Sequence, residues 1–422
     1  MVRKCELLAP AGNMEKLKTA IHYGADAVYL GGKAFSLRAR AGNFSDSEIP
    51  KAVTFAHSKG VKVYVTVNIF AHNRDLAKLK DYLVFLASAG VDGFIISDPG
   101  IIRIAREVTP SISIHLSTQA NTTNSSSVLF WEELGIRRVN LARELGIDEI
   151  REIRKQSKIE LEVFVHGALC ISYSGRCMLS LYLTGRDANL GNCAHPCRYK
   201  YRLEESQRPG EYFPVEEDDR GVYIFNSKDL CLVRRLPEIL DAGVDSIKIE
   251  GRMKGLYYIA SVVRAYRQAL NFLYENRQDV EGFRSLSVPE HIVQELHRLG
   301  SRGYTENFFS SPPDRSDMLY EGAKVDQSWI PACSVVQEVD GHSVRVKVLS
   351  IIRKDDVLEY MHRTLGQTPF KVTGLIDSNG NTVEQAIGGD EVIMNVEYVD
   401  SRAISWEEDG LIRRRPPKPR GE

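Results

Sequence analysis

The sequence predicts an α/β protein: a (β/α)8 TIM-like barrel with a cysteine-bearing insertion after its seventh strand, followed by a small all-β C-terminal domain. Three observations lead there. Through about residue 280, eight short aliphatic segments alternate with amphipathic helical patterns. A helix-stop and strand-start phrase recurs as Gly24-Ala25-Asp26-Ala27, Gly90-Val91-Asp92-Gly93 and Gly243-Val244-Asp245-Ser246, with a looser echo at Gly135-Ile136-Arg137-Arg138. From about Gly322 the helical period gives way to alternating apolar and polar residues, with hairpin turn pairs at Asp340-Gly341 and Asn379-Gly380. An open doubly wound sheet would also alternate strands with helices. The count of eight and the absence of a Gly-rich dinucleotide fingerprint favour the closed barrel.

In chain order the expected strands are Glu6–Leu8, Ala27–Leu30, Lys62–Val67, Gly93–Ile96, Ser113–Leu116, Arg138–Leu141, Leu161–Val165 and Ser246–Ile249, each too short and too rich in aliphatic residues for a helix. Asn13–His22 illustrates the intervening helices: Asn13 can cap the first turn, Leu17 and Ile21 face inward four apart, and Gly24 stops the helix. The long departure from this rhythm is the connection from His166 to about Asn226, within which Ser206 to Asp219 reads as an exposed polar loop. A last barrel helix covers Tyr257 to about Asn276. Residues 1–280 are therefore the barrel, 281–321 a linker punctuated by Gly303, Pro312 and Pro313, 322–409 the small β-barrel domain, and 410–422 a basic, proline-rich tail. Within that tail RRRPPKPR, Arg413 to Arg420, is expected to be disordered and free to touch phosphate.

A chain of 422 residues can bury two proper cores. Its formal charge of -1 argues against coating nucleic acid by bulk electrostatics, and leaves room for a local basic groove. No stretch reaches the run of roughly 18 apolar residues that a membrane span needs, so a soluble, cytoplasmic protein without membrane contact is expected.

Four of the seven cysteines, Cys170, Cys177, Cys193 and Cys197, fall between Glu162 and Cys197. Clustered thiols in a cytosolic chain point to a metal, zinc or an iron–sulfur cluster. Only Cys193 and Cys197 have tight knuckle spacing, which fits a bulkier inorganic cluster better than one zinc ion. Buried apolar cysteines or oxidised pairs are the other reading the residues allow. Cys5 and Cys333 read as small buried hydrophobes.

The barrel reading brings polar residues just past each strand to one mouth: Asn13, Asn68, His72, Asp98, Ser117, Gln119, Asn121, Arg143, Glu144, His166, Glu250 and Arg252. Asn, Asp and Ser serve turns and caps on local grounds alone. His166 at the end of the seventh strand, and Lys248, Glu250 and Arg252 at the end of the eighth, stand above that background. His166 and Glu250 are the catalytic candidates, and Glu250 with Arg252 could pair or position an anion.

Several phrases carry a family resemblance: ELLAPAGN at the N-terminus, GADAVYLG after it, Glu162, Phe164, Gly167, Ala168 and Cys170 leading into Gly175, Arg176, Cys177, Leu179 and Ser180, then NSKDL from Asn226, IKIEGRMK from Ile247 and RGYTENFF from Arg302. Together they resemble peptidase family U32, the collagenase-like peptidases. Family members of this length include proteins that convert the wobble uridine of certain tRNAs to 5-hydroxyuridine without molecular oxygen, and cousins act on ribosomal RNA or in oxygen-independent ubiquinone synthesis. The resemblance thus implies an iron–sulfur RNA-modifying enzyme with tRNA as partner, a 4Fe-4S cluster as cofactor and prephenate as co-substrate. It implies Cys170, Cys177 and Cys193 as ligands; Cys197 takes the fourth place because it closely follows Cys193 in an AHPC turn, where Pro196 directs the chain back, and Cys231, at the expected start of a helix, is in reserve because some relatives use a more distant cysteine. Two carboxylates ask for arginines. Arg38, Arg40, Arg143, Arg176 and Arg252 are rim candidates, of which Arg143, Arg176 and Arg252 lie in recognisable motifs. The small β-domain resembles barrels of translation factors, which adds to the RNA reading. Peptide hydrolysis, as the family name says, is the alternative, although neither an H-E-x-x-H pair nor a G-x-S-x-G elbow occurs. An accessory subunit working with a homologous catalytic protein is the third.

Overall fold

A computed structural model of the chain describes residues 4–36, 42–169, 178–186, 193–196, 226–277, 282–311, 328–399 and 403–416, with short strand segments between 203 and 223 and at 318–319. Strands β1 (Glu6–Pro10), β2 (Ala27–Gly31), β3 (Lys62–Thr66), β4 (Gly93–Ile96), β5 (Ser113–Leu116), β6 (Arg138–Asn140) and β7 (Glu160–Gly167) pair in parallel in chain order. A short strand β8 (Asp229–Cys231) follows, and β9 (Ser246–Ile249) pairs in parallel with both β7 and β1, closing an eight-stranded barrel. The eight expected strands are all present.

Alternation within each strand separates two interiors. Leu7, Ala9, Val28, Leu30, Val63, Val65, Phe94, Ile96, Leu161 and Ile247 point outward into the layer shared with the helices, where all are fully buried. Leu8, Ala27, Tyr29, Tyr64 and Ile95 point into the lumen as a separate small cluster. The helices are α1 (Met14–His22), α2 (Glu48–Ser58), α3 (Asn73–Ser88), α4 (Pro99–Val108), α5 (Ser125–Glu133) and α6 (Ile147–Gln156). Local chemistry starts and stops them: the Asn13 and Asp98 side chains accept from the N–H groups of Lys16 and Ile101, and Gly24 leaves α1 at φ +101.

The connection after β7 holds a six-residue helix α7 (Leu179–Thr184), ended by Gly185 at φ +66. The expected exposed loop from Ser206 to Asp219 instead carries parts of two small antiparallel ladders, Leu203–Glu204 with Tyr212–Phe213 and Glu216–Asp218 with Gly221–Tyr223. Cys231, placed by the sequence at a helix start, lies in β8, which returns antiparallel to β7 with Cys231 opposite His166. Helices α8 (Leu236–Asp241), α9 (Leu256–Glu275) and α10 (Glu290–His297) complete the layer. The expected linker is therefore structured in part: Ile292, Val293 and Leu296 of α10 join the barrel's core, and Tyr304–Thr305 pairs with β8.

Strands β10 (Ile330–Asp340), β11 (Ser343–Val348), β12 (Val357–Met361), β13 (Gln367–Ile376), β14 (Glu391–Tyr398) and β15 (Leu411–Arg414) close a second, antiparallel barrel in the order β12-β15-β10-β11-β14-β13 and back to β12. This corrects the expectation of a free tail beginning at residue 410. Leu411 to Arg414 form a central strand, and the Arg413 side chain is wholly buried because Glu295 of α10 meets its guanidinium at 2.8 Å and Glu359 of β12 at 3.1 Å. Glu295 also meets Arg264 of α9 at 2.5 Å, while Tyr23, just after α1, donates to the Met361 carbonyl and accepts the Leu411 N–H. The β-domain is thus keyed into the helix layer by buried polar contacts. Residues 417–422 lie outside the described residues.

Candidate active site at the barrel mouth

The lower lumen is charged. Arg138 of β6 reaches Glu6 of β1 at 2.6 Å, Glu160 of β7 at 2.8 Å and Glu162 of β7 at 3.1 Å, and Tyr64 donates to Glu6 at 2.9 Å. One level higher, Lys248 of β9 meets Glu162 at 2.8 Å and lies over the rings of Tyr29 and Phe164. Burial alone would raise the Glu162 carboxyl, but Lys248 and Arg138 outweigh it and hold that group below the usual carboxylate range. His115 beside them is driven well below its ordinary value by burial and then by the Arg138 charge, so it is neutral.

Above this network the mouth divides. On the β7, β9 and β2 side, the Arg143 guanidinium stacks on Phe164, 3.9 Å from the ring centroid, and approaches Glu250 at 3.8 Å. Its buried Nε has no protein partner among the described residues. Arg252 is buried and donates to Ser36 Oγ at 3.0 Å and Thr66 Oγ1 at 3.2 Å. Gly31 makes room for it, since a Cβ there would stand 2.1 Å from Arg252 Nη1. Glu250 was expected to act with Arg252; the structure sets it opposite Arg143, with its N–H donating to the His166 carbonyl. Just past β3 and β5 the contacts join neutral side chains. Asn68 donates to Gln119 Oε1 at 2.5 Å, and Ser117 donates to the same oxygen at 3.2 Å.

His166 is not at the mouth. Alternation along β7 puts it on the lumen face with Glu160, Glu162 and Phe164, but a bulge pairs Lys248 with Phe164 and the next residue, Ile249, with His166. The extra residue turns the ring outward into the helix layer, against Tyr258, Tyr266 and Tyr304. There it is 1% exposed, and burial pushes it down to about 3. Asn13 and Asp98 are helix caps, and His72 precedes α3 with its N–H on Asp75.

Of the four chosen cysteines, Cys193 alone falls among the described residues; Cys170, Cys177, Cys197 and Arg176, like Arg38 and Arg40, lie outside them. Cys193 is half-buried and its sulfur accepts the His195 N–H at 3.3 Å. Ser180 of α7 is fully buried and accepts the Ala194 N–H at 2.9 Å, which pins the helix to this turn. A soft donor with an N–H aimed at it suits an iron–sulfur ligand, whose potential such hydrogen bonds tune. Cys231 is half-buried opposite His166, and burial raises its thiol to about 11. Cys5 and Cys333 are buried in the two cores, as expected.

Residues 12–319 match the family model of peptidase family U32. The chain belongs to this family. This U32 chain is 39% identical to tRNA hydroxylation protein P1 of Bacillus subtilis over 92% of its own length and 90% of that protein's. It is 40% identical to tRNA hydroxylation protein P of Escherichia coli, with 72% and 74% covered. The 23S rRNA 5-hydroxycytidine C2501 synthase of Escherichia coli shares 36% identity over 73% of this U32 chain and 46% of that protein.

Sequence reasoning missed Ser36, Thr66, Ser97, Asn140 and the Phe164 platform. Parity was the available signal: Asn140 follows Arg138 by two in β6, and Phe164 follows Glu162 by two in β7, so each shares the lumen face of a charged neighbour.

Proposed function

We propose that this protein hydroxylates RNA, with the wobble uridine of tRNA as target, 5-hydroxyuridine as product and prephenate as co-substrate, in the cytoplasm. The observation that carries the reading is the 39% identity to a tRNA hydroxylation protein across both barrels. Prephenate is a dicarboxylate, and Arg143, Arg252 and Lys248 gather cationic nitrogens at one side of the mouth. Phe164 supplies the apolar surface beneath Arg143, and Glu250, 3.8 Å from Arg143, would be the carboxylate that takes up a proton in the reaction. His166 acts on Glu250 through its carbonyl, as a positioning residue.

Cys170, Cys177 and Cys193, with Cys197 as fourth ligand and Cys231 as its alternative, would hold a 4Fe-4S cluster. Such a cluster supplies one-electron chemistry at a potential set by its surroundings. The β-domain provides a second RNA contact in this reading. A wobble base already splayed from an anticodon loop reaches a barrel mouth at little unstacking cost.

Mass spectrometry of tRNA nucleosides from cells lacking the protein tests this, with any paralogue deleted as well. Wobble modification derived from 5-hydroxyuridine should fall, and return with the wild-type gene but not with Cys177→Ala. Unchanged tRNA with altered ribosomal RNA or altered peptide turnover would move the assignment to another activity of the family. Loss that only a co-expressed homologue repairs would make the chain an accessory subunit.

A further inference from the structure

We infer that the neutral side of the barrel mouth, centred on Ser97, Gln119 and Asn140, is the site that reads the edge of a pyrimidine base. The inference rests on the RNA reading above and assigns the base to one half of the mouth. The anionic co-substrate then takes the other half.

The three residues lie at or just past the ends of successive strands, β4, β5 and β6. Ile95 lies in the lumen cluster and Ile96 in the outer core, so Ser97 shares the lumen parity of Ile95. Asn140 likewise shares the parity of Arg138, with Val139 outside. Hydrogen bonds set the loops side by side: Val67 N–H to Ile95 O, Ser117 N–H to Ile96 O, and the Thr118 side-chain Oγ1–H to Leu141 O at 3.1 Å.

Ser97 is 6% exposed and Asn140 2%, yet Ser97 Oγ and Asn140 Oδ1 have no hydrogen-bond partner among the described residues. Buried polar atoms left unmet are rare, and each lowers stability unless something else satisfies it. Gln119 Oε1 is already taken by Asn68 and Ser117, which commits the oxygen side of that amide and turns its Nε2 to other acceptors. The set therefore offers a hydroxyl, an amide donor and an unmatched amide acceptor with no ionised group among them. Asp98, the nearest carboxylate in sequence, caps α4.

Ser97, Gln119 and Asn140 themselves offer a phosphate or carboxylate no cation. A neutral heterocycle with adjacent donor and acceptor is what it fits: uracil N3–H opposite Asn140 Oδ1, with its flanking carbonyls accepting from Ser97 and the Gln119 amide. Phe164 lies a strand away from Asn140, in β7, and carries the Arg143 guanidinium 3.9 Å from its ring centroid.

The test uses the full-length protein and fluorescence anisotropy with three short RNA hairpins, alike except that one loop position is uridine, cytidine or abasic. Wild-type protein is expected to prefer the uridine hairpin. Ser97→Ala and Asn140→Leu should each weaken it about tenfold, the loss of a good base-edge contact, leave the abasic affinity unchanged, and not lower the melting temperature. Variants that keep the wild-type preference, lose uridine and abasic hairpins equally, or lose stability with the preference intact would overturn the assignment while leaving the RNA reading in place. Wild-type protein that binds no hairpin would overturn both.

Discussion

Lys248 meets Glu162 at 2.8 Å inside the barrel, with the two side chains 4% and 1% exposed. Neither charge has water to fall back on, so removing one partner strands the other. Glu162→Gln should cost about 3–5 kcal/mol in denaturant unfolding at neutral pH. The double variant Glu162→Gln/Lys248→Met should recover part of that loss. Additive losses would show that the two do not act as a pair.

Acid should unfold the protein well before its carboxylates titrate. Burial, reinforced by Arg363, holds His22 down at about 3, and His115 is likewise depressed by burial and Arg138. Between the ordinary value of 6.5 and the folded one, only the unfolded state takes up the proton. Stability is therefore full above 6.5 and falls as pH drops, by roughly 1.4 kcal/mol per pH unit for each such histidine. Melting temperatures from pH 7.5 to 5 check this, and His22→Leu should flatten the slope.

The order of the barrel was legible because its strands are short aliphatic runs between capped helices, and a cap such as Asn13 or a stop such as Gly24 acts locally. Closure was not a local property: it rests on β9 pairing with β7 and β1, over 80 and over 200 residues away. The bulge at His166 lies in the same class. One extra residue in β7 reverses a side chain, and nothing in the alternation of EVFVHG marks it. Arg413 shows the other limit. In sequence it opens a basic tail, whereas in space Glu295 makes it an interior residue.

Glu295 holds two guanidinium groups, Arg264 at 2.5 Å and Arg413 at 2.8 Å, between the barrel's helices and the β-domain. Glu295→Gln removes the charge both depend on. A loss of about 3–5 kcal/mol is expected, with separate calorimetric transitions for the two barrels where the wild type shows one. A single unshifted transition would contradict the proposed lock.

Protein purified without oxygen should be brown and contain about four irons and four sulfides, one cubane held by four thiolates. Cys170→Ala, Cys177→Ala and Cys193→Ala should each lose it, and Cys5→Ala and Cys333→Ala keep it. Iron assays of Cys197→Ala and Cys231→Ala decide the fourth ligand: full iron in the first with loss in the second would reverse the choice of Cys197. Colourless protein with one zinc would end the iron–sulfur reading.

Prephenate binding should depend on the cationic side of the mouth. Calorimetric titration of Arg143→Gln and Arg252→Gln should show affinity reduced about tenfold or more, as charge-assisted contacts to carboxylates are lost. Wild-type affinity in both variants would place the metabolite elsewhere.

Among the described residues the ion network of Glu6, Arg138 and Glu160 fills the lumen from below, so Lys248 is approached from the mouth. A molecule that reaches the depth of Lys248 passes the rim on which Arg143 and Arg252 stand. A small molecule seated there is sealed in once a larger one covers the rim, and it cannot escape until the larger one departs. If the proposed pair of substrates binds there, the small guest should be first in and last out, and an excess of the large partner should inhibit by covering the mouth.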